Sequence, residues 1–234
     1  MTKPSRKPRA PGKKPNIREQ VYTHLRTRMQ KGEIGLDDRL VDHEIATELS
    51  VSRMPVREAL MQLKNEGLLE GTSRGFVLRR FTPTDITQIF EIRLLLEPAA
   101  AAEACKNASL EAIARMKVAA DASEVAHTND DIVAYMAANS AFRSTWISQV
   151  PNQHLADMIN RLAAHFEAVR LATLRNPTYR ASSLESTQRI TAAFLEHDPK
   201  KAIEGVQYNL RSSAASYYAM RGAYIEQSQA GRQP

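Results

Sequence analysis

Apolar residues recur every three or four positions along most of the chain, and this spacing predicts helices nearly throughout. Ile17, Val21, Leu25 and Met29 fall on one face of a first helix. Ile45, Ala46 and Leu49 do so on a short second one, and Val56, Leu60 and Leu63 on a third. "GLLEG" and "GFVLRR", on either side of "TSR", read instead as two strands joined by a tight loop. From "FTPTDI" onward, where Thr or Asp caps an apolar run, the pattern lengthens. It predicts helices over roughly 83–105, 109–126, 130–150, 152–174, 180–197 and 199–226. The breaks "KNAS", "HTND", "VPN", "RNPTY" and "HDP" all contain capping or helix-stopping residues. The expected fold is mainly α: a small N-terminal helical unit with one hairpin, then an all-α helical bundle, meeting near residue 81.

One helix breaks its own pattern. Ile132, Met136, Asn139, Arg143, Trp146 and Val150 share a face that should be buried, yet Asn139 and Arg143 are strongly polar. Burying such groups without partners costs several kcal/mol, so the face needs either a ligand or an internal partner.

Composition changes this picture little, and charge changes it more. The chain has 234 residues, 43% hydrophobic and 6% aromatic, which suits an ordinary globular protein. No apolar run is long enough for a membrane span, and the basic, proline-rich start has no apolar segment behind it, so a cytoplasmic protein without membrane attachment is expected. The single Cys105 forms no internal disulfide and reads as a small helix residue. The net charge of +6 is unevenly placed. Residues 1–18 hold seven basic side chains and no acidic one, so the positive field belongs to the N-terminal third, where it would attract a polyanion.

The chemistry of that third is specific. A helix, the tight turn "SVS" and a second helix follow one another, with Ser52 placed to cap the second and Pro55 tolerated in its first turn. Arg53 and Arg57 are one turn apart on its outward face. At the N-terminal end of a recognition helix, arginine donates two hydrogen bonds to guanine in the major groove. The hairpin that follows is a wing, with Arg74 and Gly75 at its tip: the glycine allows close approach to the sugar-phosphate wall and the arginine supplies charge.

"VSRMPVREALMQLKNEGLLE...RGFV" resembles the winged helix-turn-helix of GntR-family bacterial transcription regulators. The helical remainder, beginning "TDITQIFEIRLLLEPAAAAEA", resembles the effector-binding and dimerising domain of the FadR-like (FCD) subfamily. The resemblance implies DNA contacts from His43, Ser52, Arg53, Arg57 and Gly75. It departs from the family at two of the DNA-reading positions. Met54 replaces the usual threonine, exchanging a hydroxyl for an apolar group that can touch a thymine methyl. His43 stands where arginine is frequent.

The resemblance also implies a divalent metal in the bundle, held by an Asp, a His four residues later and two further histidines. Matching by motif and spacing puts Asn139, Arg143, Thr187 and Asn209 at those positions. Amides are poor ligands for such an ion and Arg143 repels it, so no metal and no other cofactor is expected. The other histidines show no ligand spacing.

These four positions nonetheless stay polar. Arg143 is expected to replace the ion as the anchor of a small anionic effector, with bidentate contact to a carboxylate or phosphate. Arg93 is the best second cation, and Tyr135, Asn139, Thr187, Tyr208 and Asn209 complete the expected pocket. The competing reading is that Arg143 pairs with a bundle carboxylate such as Glu97 or Glu185 and only fixes packing.

The chain therefore divides into a disordered basic tail at 1–15, a winged helix-turn-helix at 16–81, an FCD-like domain at 82–227 and a flexible tail at 228–234. The expected protein is a homodimeric transcription regulator, a repressor released by an anionic, organic-acid type metabolite, with a double-stranded operator as partner. The alternative is a constitutive or architectural DNA-binding dimer without an effector. No nucleophile, acid-base pair or phosphate loop points to an enzyme.

Overall fold

Val21 and Leu25 of α1 (Ile17–Gln30) meet Val56, Ala59, Leu60 and Leu63 of α3 (Arg53–Asn65), and this contact forms the centre of the N-terminal unit. Between them α2 (Asp42–Glu48) turns Ile45 and Ala46 inward. The expected stripes of all three helices face this core, with Met29 and Leu49 only partly buried and Ile17, at the first residue of α1, half exposed. Strands β1 (Leu69–Thr72) and β2 (Gly75–Leu78) pair antiparallel, with Leu69 opposite Leu78 and Thr72 opposite Gly75. Leu40 adds a short third edge by exchanging two hydrogen bonds with Phe76, at 2.8 and 2.9 Å. The computed structural model describes residues 16–30, 32–35 and 37–230. Its chain separates into one unit up to Arg80 and another from Phe81. The basic tail at 1–15 and residues 231–234 lie outside the described residues.

Ser52 differs from expectation. Its backbone takes the extended N-cap conformation ahead of α3, but its hydroxyl makes no capping bond. An N-cap oxygen accepts from the second or third helical N–H, and the third residue of α3 is Pro55, which has none.

Among the described residues the second unit is built of seven helices: α4 (Pro83–Asn107), α5 (Leu110–Thr128), α6 (Ile132–Ile147), α7 (Gln153–His165), α8 (Glu167–Leu174), α9 (Pro177–Leu195) and α10 (Pro199–Ala230). Thr82 and Asp85 start α4 with a reciprocal capping box. Ser109, Asp131, Asn152 and Asn176 each cap the helix that follows with a side-chain oxygen. The alanines of "EPAAAAEAC" let α4 pack closely, with Ala100, Ala101 and Ala104 in a core that also holds Met116, Phe142, Trp146, Ile159, Phe194 and Leu210. α9 and α10 approach so closely at Gly205 that a Cβ there would lie 2.9 Å from Ile190 Cγ1.

Two helix boundaries depart from the pattern. The helix expected over 152–174 is broken at Phe166, which closes α7 with a bond to Ala163 O and opens α8 by accepting from Arg170 N. Phe166 turns inward at the break and meets Phe90 edge to face, with centroids 4.5 Å apart. α10 continues to Ala230, three residues into the segment expected to be a tail, because Glu, Gln and Ala all sustain a helix.

Candidate functional site

Two surfaces carry the chemistry. On the first, α2 and the start of α3 present His43, Ser52, Arg53, Met54 and Arg57 to solvent, and the hairpin presents Arg74. Met54 is 66% exposed and stands beside the arginines rather than in the core. Arg53 Nη2 donates to Asp42 Oδ1 at 3.0 Å. An exposed pair of this kind holds its guanidinium weakly, which leaves Arg53 free to exchange partner. At the hairpin tip the Thr72 hydroxyl accepts from Arg74 N and donates to Gly75 O.

Gly75 has a structural reason that the sequence did not show. Its φ is +125°, a conformation L side chains rarely adopt, and a Cβ would lie 2.7 Å from the Leu40 carbonyl oxygen. The glycine is required where the hairpin meets Leu40, independently of any contact to DNA.

The second surface is internal. A cavity of about 80 Å³ lies among the bundle helices, enough to hold water. Its walls include Arg93 on α4, Asn139 and Arg143 on α6, Thr187 on α9 and Asn209 on α10. All four positions that the resemblance matches to metal ligands thus converge on one space, together with the second expected cation. Phe90, Phe142, Trp146 and Phe166 supply an apolar side, and Ser183, Ser212, Ser213 and Ser216 a hydroxylated one. The Thr187 and Ser216 hydroxyls donate to Ser183 O and Ser212 O of their own helices, which leaves them acceptors only.

Glu97 organises the cationic side. It is fully buried, and its Oε1 accepts from Arg93 Nε at 2.6 Å and from Arg143 Nη2 at 2.8 Å, while Oε2 accepts from Arg143 Nη1 at 3.0 Å. Burial pushes its carboxyl up, but the charges and hydrogen bonds of Arg143 and Arg93 outweigh burial and bring it from its ordinary 4.5 to about 2. Arg93, itself buried, is lowered by desolvation, with Glu97 acting against the shift. The Arg93 guanidinium also stands 5.2 Å from the Phe166 ring centre and 5.8 Å from that of Phe90.

Arg143 therefore does not stand ready for bidentate contact with a ligand, because Glu97 takes both of its terminal nitrogens. Of the two carboxylates considered as internal partners, Glu97 is the one used. Glu185 instead accepts from Arg189 and from the Tyr208 hydroxyl.

Two expected pocket residues are elsewhere. Tyr208 is held at Glu185, beneath Arg189, and does not line the cavity. Tyr135 is fully buried in a separate cluster with Ala126 and Leu174, its hydroxyl donating to Arg180 O. There Arg180 spans His127 Nδ1, Leu174 O and Asp130, a structural tie around the ends of α5 and α8.

One cavity residue had no signal in the sequence. Arg170 on α8 donates through Nη1 to Asn139 Oδ1 at 3.2 Å and through Nη2 to both oxygens of Glu167, at 2.8 and 2.9 Å. Among the described residues, the buried side-chain polar atoms without a hydrogen-bond partner are Arg143 Nε and Arg170 Nε. Both belong to residues that line the cavity.

Residues 17–75 match the family described as bacterial regulatory proteins, gntR family, and residues 88–212 match the FCD domain. The chain belongs to the gntR family of regulators that carry an FCD domain. An uncharacterized HTH-type transcriptional regulator, YdhC of Bacillus subtilis, is 26% identical over 145 residues, covering 61% of this chain and 65% of that protein. The gluconate operon transcriptional repressor of the same organism is 42% identical over 77 residues, covering 33% of this chain and 32% of the repressor. The chain thus spans less than two thirds of the length of these curated relatives. Among solved structures, E. coli McbR/YncC superposes with a TM-score of 0.78 at 22% identity, covering 88% of this chain and 99% of that one, a likeness of fold. Both matched domains are those of transcription regulators, and neither is an enzyme domain.

Proposed function

We propose that this gntR-family protein is a DNA-binding transcription regulator whose FCD domain holds a small anionic effector without a metal. The observation that carries the effector reading is the pair of orphan guanidinium N–H groups, Arg143 Nε and Arg170 Nε, on two helices around one cavity. A buried donor without an acceptor costs about 1–3 kcal/mol. An anion in the cavity supplies the missing acceptors.

The donor set does not suit a divalent cation. Asn139 Oδ1 already accepts from Arg170, and Arg143 adds a fixed positive charge. The effector role of Arg143 is thus narrower than the sequence suggests: it offers the edge of its guanidinium, with Arg170 beside it as the second donor.

DNA recognition is assigned to His43, Ser52, Arg53, Met54 and Arg57 in a major groove, with Arg74 and the Gly75 turn beside the backbone. Homodimer binding to a two-fold operator follows the habit of such regulators. Repression is supported by the name of the gluconate operon relative. Effector binding and DNA binding then influence one another reciprocally.

Trp146 is the only tryptophan and lines the cavity, so its fluorescence reports occupancy. The test is a titration with a panel of organic acids and inorganic phosphate, repeated on Arg170→Ala and in the presence of DNA from the protein's own promoter. We expect saturable binding that Arg170→Ala weakens at least about tenfold and that changes operator affinity. Binding that Arg170→Ala leaves intact removes the anion site. Operator affinity insensitive to every acid favours the constitutive DNA-binding dimer.

A further inference from the structure

Charge can be counted around the cavity. Three guanidinium groups line it, those of Arg93, Arg143 and Arg170. Two carboxylates answer them: Glu97 accepts from Arg93 and Arg143, and Glu167 accepts through both oxygens from Arg170. Elsewhere in the bundle Arg189 is matched to Glu185 and Arg180 to Asp130. One positive charge is left over.

We infer that the cavity selects a singly charged anion over a doubly charged one, and that Glu167 is the residue that sets this limit. The inference rests on the reading of the cavity as an anion site and adds the charge of the ligand to it. One carboxylate on the ligand cancels the excess charge and offers acceptors to the orphan N–H groups. A second carboxylate finds no lining guanidinium whose charge is not already answered, and an unpaired buried charge is strongly unfavourable.

The two carboxylates differ in what they can reveal. Glu97 is shared by two buried arginines from α4 and α6, so its removal disturbs the bundle itself. Glu167 serves Arg170 alone, three residues along the same short helix, and its side chain is 22% exposed. Replacing it by glutamine keeps the shape, removes one negative charge, and raises the excess from one to two.

The experiment is calorimetric titration, at a pH well above both acid pKa values, with three pairs of equal chain length: propionate and malonate, butyrate and succinate, valerate and glutarate. Wild-type protein should prefer the monocarboxylate by at least about tenfold in each pair it binds. Glu167→Gln should reduce that preference by at least about tenfold or invert it, and Glu167→Asp, which keeps the charge, should retain it. Wild-type preference for the dicarboxylates, or a preference unchanged in Glu167→Gln, overturns the inference while leaving an anion site in place. Failure of the wild type to bind any of the six acids overturns the anion site itself. If Glu167→Gln does not melt cooperatively, the wild-type preferences decide alone.

Discussion

Arg53 and Arg143 are both arginines paired with a carboxylate on a neighbouring helix, Asp42 at 3.0 Å and Glu97 at 2.8 Å. The Arg53 side chain is 67% exposed and that of Arg143 is 14% exposed. On the surface of the N-terminal unit, water competes for the Arg53 guanidinium, although the Asp42 side chain is only 17% exposed, and a surface pair is worth at most about 1 kcal/mol, so Arg53 can leave Asp42 for a base or a phosphate. In the bundle, separating the pair leaves an uncompensated charge in a dry interior. The same chemistry is an available contact in one region and a fixed part of the architecture in the other. The recognition proposed for the bundle therefore falls to what the fixed network leaves over: one charge and two N–H groups.

Removing Glu97 tests this contrast most severely. Glu97→Ala should destabilise the bundle by about 3–5 kcal/mol in urea denaturation, whereas Asp42→Ala, the equivalent change on the surface pair, should cost at most about 1 kcal/mol. Equal effects would erase the distinction between the two regions.

Acid supplies a finer version of the same test. The folded protein holds Glu97 at about 2 instead of its ordinary 4.5. Its contribution is fully present above the ordinary value and is lost as pH falls from about 4.5 toward 2, a change on the order of 3 kcal/mol. Melting temperature followed across that window should fall, and Glu97→Gln, if it folds, should flatten the part due to this carboxyl. An unchanged slope in that variant would show that other carboxylates govern acid unfolding.

A further effect is expected in the hairpin. Gly75→Ala meets both a positive φ and a Leu40 oxygen at 2.7 Å, at a cost of order 1–3 kcal/mol. It should loosen the N-terminal unit and weaken operator binding while the bundle keeps its ligand affinity. Wild-type operator binding by that variant would mean that the tip relaxes around the added methyl.

Most of the architecture was legible because helical periodicity and capping residues are local signals. The convergence of Asn139, Arg143, Thr187 and Asn209 was legible through the spacing of a known motif. What escaped is information that exists only between elements. The break at Phe166 has no glycine or proline to mark it, and the ring it meets there is Phe90, 76 residues earlier in the chain. Arg170 looks like an ordinary surface cation in "EAVRLATL" until Asn139 is brought to it. Tyr208 sits next to Asn209 in sequence, but successive residues point about 100° apart on a helix, so one reaches the cavity wall and the other reaches Glu185. Spacing names the face of a helix and not what stands opposite.

The break at Phe166 leaves α8 only eight residues long. A helix of two turns has no standing of its own in water, since isolated helices shorter than about 12–15 residues are marginal. α8 persists through its neighbours, and Arg170 and Glu167 are both on it. Whatever an anion adds by meeting Arg170 is added to the stability of that segment, so that in this corner of the bundle ligand affinity and local folding are one free energy measured in two ways.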